Sequence, residues 1–327
     1  FDGLPGDTVN NIVKENLDIA RSLKDFIVFE NAVNIAPSTK ASLISDIYGV
    51  QDYAALGDNW DAVKSDLLET NLFENLISNE IADSYQHYYR GSGIEDGQFF
   101  NSPSYETWGF FRYPMVRIGT SHGLNLLNWH RFERLQKYVG MRKDSELSVL
   151  LDEIQKKGVL DYYKGVIDFY NYDKFVGSTS IAAKDISLRY VHFLFTHHPF
   201  IYDEKCRFKG NDKEWFDSHQ NEQGVIKQTT CGLVKFSELI EKLKELGVYD
   251  KSLIIFKSDH GHKASYFSKY PHNLYINNNL EWGYNRYKSF LSVKDFDSDN
   301  EEVAFKTDLV LQGDVAKTIC LNSGVSA

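Results

Sequence analysis

The stretch from Ser252 to His262 has the sequence SLIIFKSDHGH, and the prediction of the fold and of the site starts from it. Its first six residues form a short apolar run that predicts a buried β-strand. An acid and an imidazole, Asp259 and His260, follow directly in a glycine-containing turn. Because a turn frees adjacent side chains from the opposed directions that a strand imposes, these two can converge on one cation. The alternative is that Asp259 caps the next segment while His260 packs beneath a loop.

Helix-like and strand-like patterns alternate along the rest of the chain. Residues 7–24 predict a helix and residues 26–29 a strand, and residues 188–196 predict a buried strand. Residues 225–246 predict a long amphipathic helix, which Gly247 ends. Alternating strands and helices predict an α/β fold with a mostly parallel central sheet and helices on both faces. In such folds ligands collect at the carboxyl ends of the strands.

The chain contains no internal repeat, low-complexity tract or obvious linker. We therefore predict a single domain over residues 1–327, with a long irregular middle at about residues 50–185 that is rich in Tyr, Asn and Asp. The polar segment 290–302 is predicted to be a surface loop.

Composition excludes several classes of protein. The 327 residues include 46 acidic and 36 basic side chains, a formal net charge of −10 that argues against a nucleic-acid partner. Hydrophobic residues make up 42%, which excludes wholesale disorder. The apolar runs are far shorter than the roughly 20 residues of a membrane-spanning helix, and no signal peptide is visible.

Three cysteines, Cys206, Cys231 and Cys320, are too few and too scattered to predict a disulfide framework or a thiolate metal site. They leave the redox compartment open.

A second candidate segment, APSTKASL, spans residues 36–43 and follows a strand-like run. Pro37 and Ser38 predict a loop that enters a helix, which places Thr39 near a helix N-terminus, where free N–H groups favour an anion. A hydroxyl there could attack a phosphoester once a neighbouring base or metal lowers its pKa. The alternative is that the segment is only a helix cap.

A third candidate, Asp2, lies in the opening FDGL, where it is placed to follow a strand outside this chain. An Asp-Gly pair alone is ordinary turn chemistry. Asp2, Thr39 and the pair Asp259-His260 together resemble the metal-dependent alkaline phosphatase and sulfatase superfamily. Its members join an early Asp or Glu, a hydroxyl or modified Cys nucleophile at a helix start, and a late Asp-His pair.

Within that superfamily, Thr39-x-x-Ser42 is similar to the nucleophile segment of lipoteichoic acid synthases and of the phosphoethanolamine transferases that modify lipid A. The C-x-P-S-R motif of sulfatases fits less well, because Ile35 stands at the Cys position and Thr39 at the Arg position.

Two further segments carry the resemblance. His122-Gly123 followed by Trp129 and Arg131 is similar to the H-G-x5-W-x-R stretch of the synthases, whose His, Trp and Arg line the phosphoglycerol pocket. Arginine suits phosphate oxygens because it is a forked, permanently charged donor. Without the resemblance, Trp129 would be assigned to the core.

His197, in the sequence THHPF, resembles the H-x-P-F histidine that contacts the substrate phosphate or a second metal; satisfying loop carbonyls is the alternative. His272, thirteen residues beyond Asp259, resembles a substrate-side histidine of the phosphoethanolamine transferases.

The chain departs from the family in three respects. Asp2 stands where the synthases usually have Glu, and His262 stands where many transferases have Glu. The several disulfides of the lipid A transferases are missing, which favours the phosphoglycerol branch.

The resemblance implies metal ligands Asp2, Thr39, Asp259 and His260, a set that suits one divalent ion, Mn²⁺ or Zn²⁺, with a second left open. Thr39 would attack a phosphodiester while His197 and Arg131 clamp the phosphoryl oxygens, and the hydroxyl of an acceptor would then attack phospho-threonine. His122, Trp129 and His272 would complete the substrate site.

The implied function is a phosphoglycerol or phosphoethanolamine transferase with a phospholipid head-group donor and an envelope glycan or lipid acceptor. The implied location is extracytoplasmic, at the periplasm or cell surface, with a membrane anchor in a segment absent from this chain. Two alternatives stay open: a phosphodiesterase or sulfatase of the same superfamily, and a non-catalytic binding module.

Overall fold

The computed structural model describes residues 1–39, 42, 45–46, 84–88, 163–181, 187–267 and 284–323. Their helices are α1 (Gly6–Glu15), α2 (Leu17–Ser22), α3 (Tyr163–Ser178), α4 (Lys213–Ser218), α5 (Glu222–Glu245), α6 (Tyr284–Tyr287) and α7 (Asp314–Ser323). Their strands are β1 (Ile27–Val33), β2 (Ser84–Tyr88), β3 (Ser187–Val191), β4 (Ile254–Lys257), β5 (Leu291–Lys294) and β6 (Ala304–Leu311). Most of the predicted irregular middle lies outside these ranges, and the single domain stays a prediction.

Four of the strands form one sheet in the order β4-β5-β1-β6. β1 pairs parallel with β6, whereas β5 runs antiparallel to both of its neighbours, β4 and β1. β2 and β3 form a separate parallel pair. The α/β character is confirmed, but the prediction of a mostly parallel sheet is wrong for the described strands, since this four-stranded sheet is mixed.

The source of the error is β5, which lies inside the segment predicted to be a surface loop. Phe290 and Leu291 are almost completely buried, and the polar members of the strand have partners. The Ser292 hydroxyl donates to the carbonyl of Phe256 at 3.3 Å, and Lys294 is capped by carbonyl oxygens. The sequence LSVK does alternate apolar and polar residues, but a strand of four residues inside a polar segment is too short for this pattern to predict it, and its Ser and Lys are buried rather than exposed.

Helices cover both faces of the sheet, in agreement with the prediction. On one face α1, α2 and α5 build the main core with the sheet; its most buried members include Leu4, Val9, Val13, Leu23, Phe26, Val28, Leu233, Ile240, Phe256 and Phe290. On the other face α7 packs through Val315 against Ala32 and Leu291. This alternation follows the two-residue period of a strand.

The helix predicted over residues 7–24 is two helices, because Asn16 interrupts it. The Asn16 Oδ1 accepts hydrogen bonds from the N–H groups of Asp18 and Ile19, at 3.1 and 3.2 Å, and so caps the start of α2. The long helix α5 forms close to its predicted bounds. Gly247 follows it with a positive φ of 67°, the conformation that commonly ends a helix.

The third strand, β3, ends five residues earlier than predicted. Asp168 on α3 takes the backbone N–H groups of Leu194 and Phe195, the second at 3.0 Å, so they are not available to a sheet. The chain therefore leaves β3 at Val191 and continues as a loop that carries His192 and His197.

Two of the three cysteines form a disulfide, Cys206–Cys231, which the sequence analysis did not predict. The bridge joins the loop after Tyr202 to the middle of α5, and the pairing exists because the fold brings these distant positions together. Among the described residues, no helix is long and apolar enough to cross a bilayer.

Lys294 is the most informative position for stability. Its ammonium group is buried and donates to the carbonyls of Tyr249, Asp250 and Ser252, at 2.8, 3.1 and 3.2 Å. We expect Lys294→Met to lower the free energy of unfolding by about 2–4 kcal/mol, because it leaves buried carbonyls without a donor.

Denaturant unfolding followed by circular dichroism measures this change. Lys306→Met on exposed β6 is the matched control and should stay within about 0.5 kcal/mol of the wild type. Equal losses in the two variants would contradict the structural role of Lys294.

Candidate active site

Asp259 and His260 lie in the turn that directly follows β4. The next residue, Gly261, donates its N–H to the carbonyl of Arg286 at 2.9 Å. A Cβ on Gly261 would lie 1.9 Å from the carbonyl oxygen of Asn285, so a larger residue could not occupy this position. The glycine is therefore needed for the close approach of two backbone segments, which fixes the turn that presents the acid and the imidazole.

The Asp259 carboxylate is oriented by its own surroundings. Its Oδ1 accepts from the N–H groups of Gly3 and His260, at 2.9 and 2.8 Å. Asn34, at the end of β1, donates its side-chain amide to the Asp259 carbonyl. The other carboxylate oxygen, Oδ2, is buried and has no hydrogen-bond partner within the described ranges. One oxygen thus holds the side chain, and the other is left for a ligand.

Asp2 reaches the same place from the start of the chain. Its N–H donates to the carbonyl of Phe193 at 2.8 Å, and its carbonyl accepts from the Thr196 hydroxyl at 2.6 Å. The Phe1 ring anchors this segment in a cluster of aromatic side chains, with Phe195 5.3 Å away between ring centroids. Gly3 then turns the chain with a φ of +72°, where glycine is favoured. As a result Asp2 is buried beside Asp259.

Thr39 lies where a helical turn begins after the loop that follows β1. The Thr39 Oγ1 is 3.3 Å from Asp2 Oδ2 and 3.2 Å from His260 Nε2. The structure therefore brings together all four residues that the sequence analysis named as ligands: Asp2, Thr39, Asp259 and His260.

The donor atoms of this cluster have the spacing of a metal site. Oxygen and nitrogen atoms of Asp2, Asp259 and His260 lie within 4.8 Å of one another. His260 Nε2 is 3.6 Å from Asp2 Oδ1 and 3.5 Å from Asp259 Oδ2. Ligands about 2.1 Å from a tetrahedral ion are about 3.4 Å apart, so these residues fit a divalent cation. The buried Asp2 Oδ1, which also has no hydrogen-bond partner among the described residues, supports the same assignment.

The electrostatics of the two carboxylates follow from their burial. Burial and the nearby charge of Asp259 raise the pKa of Asp2 to about 8. Burial also raises the pKa of Asp259, but the imidazoles of His260 and His192 and the N–H of Gly3 outweigh it and hold that pKa well below its usual value. Without a cation, the pair therefore keeps one proton near neutral pH.

His260 is prepared to act as a ligand. Burial is the main cause that lowers its pKa to about 4, so the imidazole is neutral near pH 7. Its Nδ1 lies 2.8 Å from the Gly261 carbonyl oxygen, a partner that requires the proton on Nδ1. The lone pair of Nε2 then faces the cluster.

Besides His192, which is described below, the imidazoles of His197, His198 and His262 lie near the cluster. His197 is 43% exposed, and its Nε2 lies 4.0 Å from Asp2 Oδ1. His198 points elsewhere and stacks on Tyr266, with ring centroids 5.5 Å apart. His262 is buried against Phe200, and burial lowers its pKa well below the usual value. Of the three, His197 is placed to contact a group bound at the cluster. His262 is an uncharged imidazole that packs beside the cluster.

Four residues of the predicted substrate site lie outside the described residues: His122, Trp129, Arg131 and His272. Their roles stay predictions.

Two residues of the site were missed by the sequence analysis. His192 is buried, and its Nε2 lies 3.5 Å from Asp259 Oδ2. The histidine within the apolar run YVHFLF is the signal for it in the sequence, but the pattern predicts a strand that continues past this residue. Arg286 donates its Nε–H to the Pro37 carbonyl at 2.8 Å, next to the Thr39 turn. Burial is the main cause of the lowered pKa of His260, and the positive charge of Arg286 lowers it further. Nothing in its surrounding sequence marked it.

Comparison with known proteins gives no match to a protein-family profile and none to a curated protein. Solved structures do match. The protein yidJ of Bacteroides fragilis, a candidate sulfatase, shares 13% identity at a TM-score of 0.50, over 99% of this chain and 72% of that one. The phosphonate monoester hydrolase of Silicibacter pomeroyi shares 14% identity at 0.49, over 99% and 72%.

The lipoteichoic acid synthase LtaP of Listeria monocytogenes shares 12% identity at a TM-score of 0.47, over 96% of this chain and 67% of that one. At such identities a structural similarity concerns the fold alone. Of these three matches, yidJ has a TM-score of 0.50, and only this match is used to support the fold. This match supports a sulfatase-like α/β fold for the chain, in agreement with that part of the prediction.

We expect the affinity of the cluster for Mn²⁺ to rise as the pH increases from 6 to 8. Below its pKa of about 8, Asp2 holds a proton that the cation must displace, and above that pH the competition ends. Calorimetry in two buffers of different ionisation enthalpy should show about one proton released per ion at pH 6.5. Binding without proton release at that pH would contradict the assignment, and Asp2→Asn, which carries no such proton, is the control.

We expect His192→Leu to weaken Mn²⁺ binding by about 10–100-fold, because a group beside a ligating carboxylate orients it. His192→Gln, which keeps a polar side chain beside Asp259, should recover part of the loss. Calorimetric titration with Mn²⁺ measures both, and His219→Leu, at the end of α4, is the matched control. Unchanged affinity in His192→Leu would show that Asp259 does not need this neighbour.

Proposed function

We propose that this chain, which has the fold of the alkaline phosphatase and sulfatase superfamily, is a metal-dependent transferase. It moves a phosphoglycerol or phosphoethanolamine group from a phospholipid head group to an envelope glycan or lipid. The observation that carries the proposal is the Thr39 hydroxyl, which lies within 3.3 Å of both Asp2 and His260 at the start of a helical turn.

Thr39 is the nucleophile of the proposed reaction. A divalent cation, Mn²⁺ or Zn²⁺, held by Asp2, Asp259 and His260 would lower the pKa of a hydroxyl and neutralise charge on phosphoryl oxygens. A bond forms between Thr39 Oγ1 and phosphorus as the bond to the departing alcohol breaks, and the Thr39 proton leaves with that alcohol. The chain then carries the group as phospho-threonine.

The second step returns the enzyme to its first state. The hydroxyl of the acceptor bonds to phosphorus, the bond to Thr39 Oγ1 breaks, and the acceptor proton returns to Thr39. His197, exposed at the edge of the cluster, donates to phosphoryl oxygens, and Arg286 holds the Thr39 turn through the Pro37 carbonyl. Both steps place negative charge beside fixed donors.

Hydrolysis is the alternative outcome of the same intermediate, with water in place of the acceptor. A phosphodiesterase would need no change in the residues named so far. A sulfatase fits less well, because Ile35 stands where those enzymes carry the nucleophile. The non-catalytic binding module would keep the cluster but form no phospho-threonine.

The disulfide supports an extracytoplasmic location. Disulfides persist in oxidising compartments and are rare in the cytosol, and Cys206–Cys231 is within the described structure. We propose a periplasmic or cell-surface protein that reaches its lipid donor through a membrane anchor outside this chain.

We expect Thr39→Ala to abolish a phosphoryl adduct that the wild type forms with a chromogenic phosphodiester and Mn²⁺. The loss of activity should be at least about 10³-fold, as for removal of other nucleophiles. Intact-mass spectrometry detects the adduct, and Ser38→Ala, which removes the adjacent hydroxyl, should still form it. An adduct that persists in Thr39→Ala would assign the nucleophile elsewhere.

Adding an acceptor alcohol such as glycerol separates transfer from hydrolysis. A transferase should turn over faster with the acceptor and yield a new diester, whereas a hydrolase should release the same monoester at the same rate without it. The second result would replace the proposed transfer by hydrolysis at the same Thr39.

A further inference from the structure

We propose that Gln228 of α5 is a positioning residue for His197. The proposal rests on the proposed function, in which His197 contacts the transferred group. It concerns the loop from Thr196 to Tyr202, which has no regular secondary structure of its own except for one bridge residue, Tyr202. Buried backbone groups in such a loop need partners from elsewhere.

Gln228 supplies four of those partners from one fully buried side chain. Its Oε1 accepts from the N–H groups of Ile201 and Tyr202, at 2.7 and 3.0 Å. Its amide nitrogen donates to the carbonyls of His197 and Pro199, at 2.9 and 3.4 Å. A carboxamide has two acceptor sites and two N–H donors, so this side chain is fully used by the loop.

The backbone of His197 sets the point from which its ring approaches the cluster, because a single methylene group joins the ring to the Cα atom. The ring is 43% exposed, and the contact of its Nδ1 is with the neighbouring His198 carbonyl, at 2.6 Å. On the N-terminal side of His197, the Thr196 hydroxyl donates to the Asp2 carbonyl at 2.6 Å. Three hydrogen bonds therefore hold the backbone around His197: the Thr196 hydroxyl donates to the Asp2 carbonyl, the His197 N–H donates to the Leu194 carbonyl at 2.9 Å, and Gln228 donates to the His197 carbonyl.

One face of α5 forms the support for this loop. A Cβ on Gly232 would lie 2.8 Å from the Thr196 side chain, so the helix and the loop are in close contact there. Cys231, three residues after Gln228, is joined to Cys206 beyond the loop. Residues 228, 231 and 232 share a side of the helix by their spacing, so Gln228 transmits the position of a rigid helix to His197.

The replacement Gln228→Glu tests the donors alone. Glutamate keeps an oxygen for the Ile201 and Tyr202 N–H groups but sets a second oxygen against the His197 and Pro199 carbonyls. The matched control is Gln220→Glu, because Gln220 bonds the same loop one residue beyond Pro199. It accepts from the Phe200 N–H at 3.0 Å and donates to the Phe200 carbonyl at 2.9 Å.

Binding of inorganic phosphate to the Mn²⁺-loaded protein is the first measurement. We expect Gln228→Glu to weaken it about tenfold, the effect of losing a well-placed charge-assisted contact, while Mn²⁺ affinity stays within twofold. Gln220→Glu should bind phosphate like the wild type. The double variant with His197→Ala should lose no more than His197→Ala alone, because the two residues act through one contact.

Equal phosphate affinity in Gln228→Glu and the wild type would overturn the proposal, and so would losses that multiply in the double variant. Gln228→Met, of similar size and without charge, replaces Gln228→Glu if circular dichroism shows that the latter is unfolded. It should give the same loss.

The His197 ring signal in a ¹H–¹³C spectrum, assigned through His197→Ala, separates this proposal from the proposed function. It should shift in Gln228→Glu and stay in place in Gln220→Glu. A wild type that binds no phosphate would reject the proposed function while the ring signal still decides the positioning role.

Discussion

Two carboxylates, Asp2 and Asp259, are buried side by side, and the rest of the site depends on how their charge is balanced. Removing ionised groups from water is costly unless they are paired, protonated or bound to a metal. The two oxygens of Asp259 differ in their contacts: Oδ1 accepts hydrogen bonds from two N–H groups, and Oδ2 is left for a ligand. The neutral imidazole of His260 adds a nitrogen lone pair at the same point.

The fold satisfies this constraint by joining three segments that are far apart in the chain. The first four residues, the end of β1 and the turn after β4 meet beside the antiparallel strand β5. Asn34 links two of these segments by donating to the Asp259 carbonyl, and it lies 3.4 Å from the Gln312 Oε1 after β6. Backbone hydrogen bonds from Asp2 and Gly261 fix the other approaches. The geometry of the cluster thus depends on how the segments at this edge of the sheet are joined to one another.

The proposed chemistry uses a hydroxyl that lies directly beside the two carboxylates. Thr39 touches two of the ligands, so a cation held there would act on the nucleophile and on the phosphoryl group together. His197 meets the cluster from an exposed loop that a buried glutamine and a disulfide hold against α5. Because the loop is fixed to a helix, His197 can be held in the position that a reacting group needs.

The sequence by itself determined the features that depend on neighbours along the chain. The apolar run before Asp259 and His260 predicts a strand with its ligands at the carboxyl end, and Pro37 and Ser38 place Thr39 at a helix start. Tertiary structure alone decided the direction of β5, the pairing of Cys206 with Cys231 and the approach of His192 to Asp259. Periodicity and turn residues act locally, whereas strand partners, buried polar contacts and disulfides depend on which distant segments the packed core brings together.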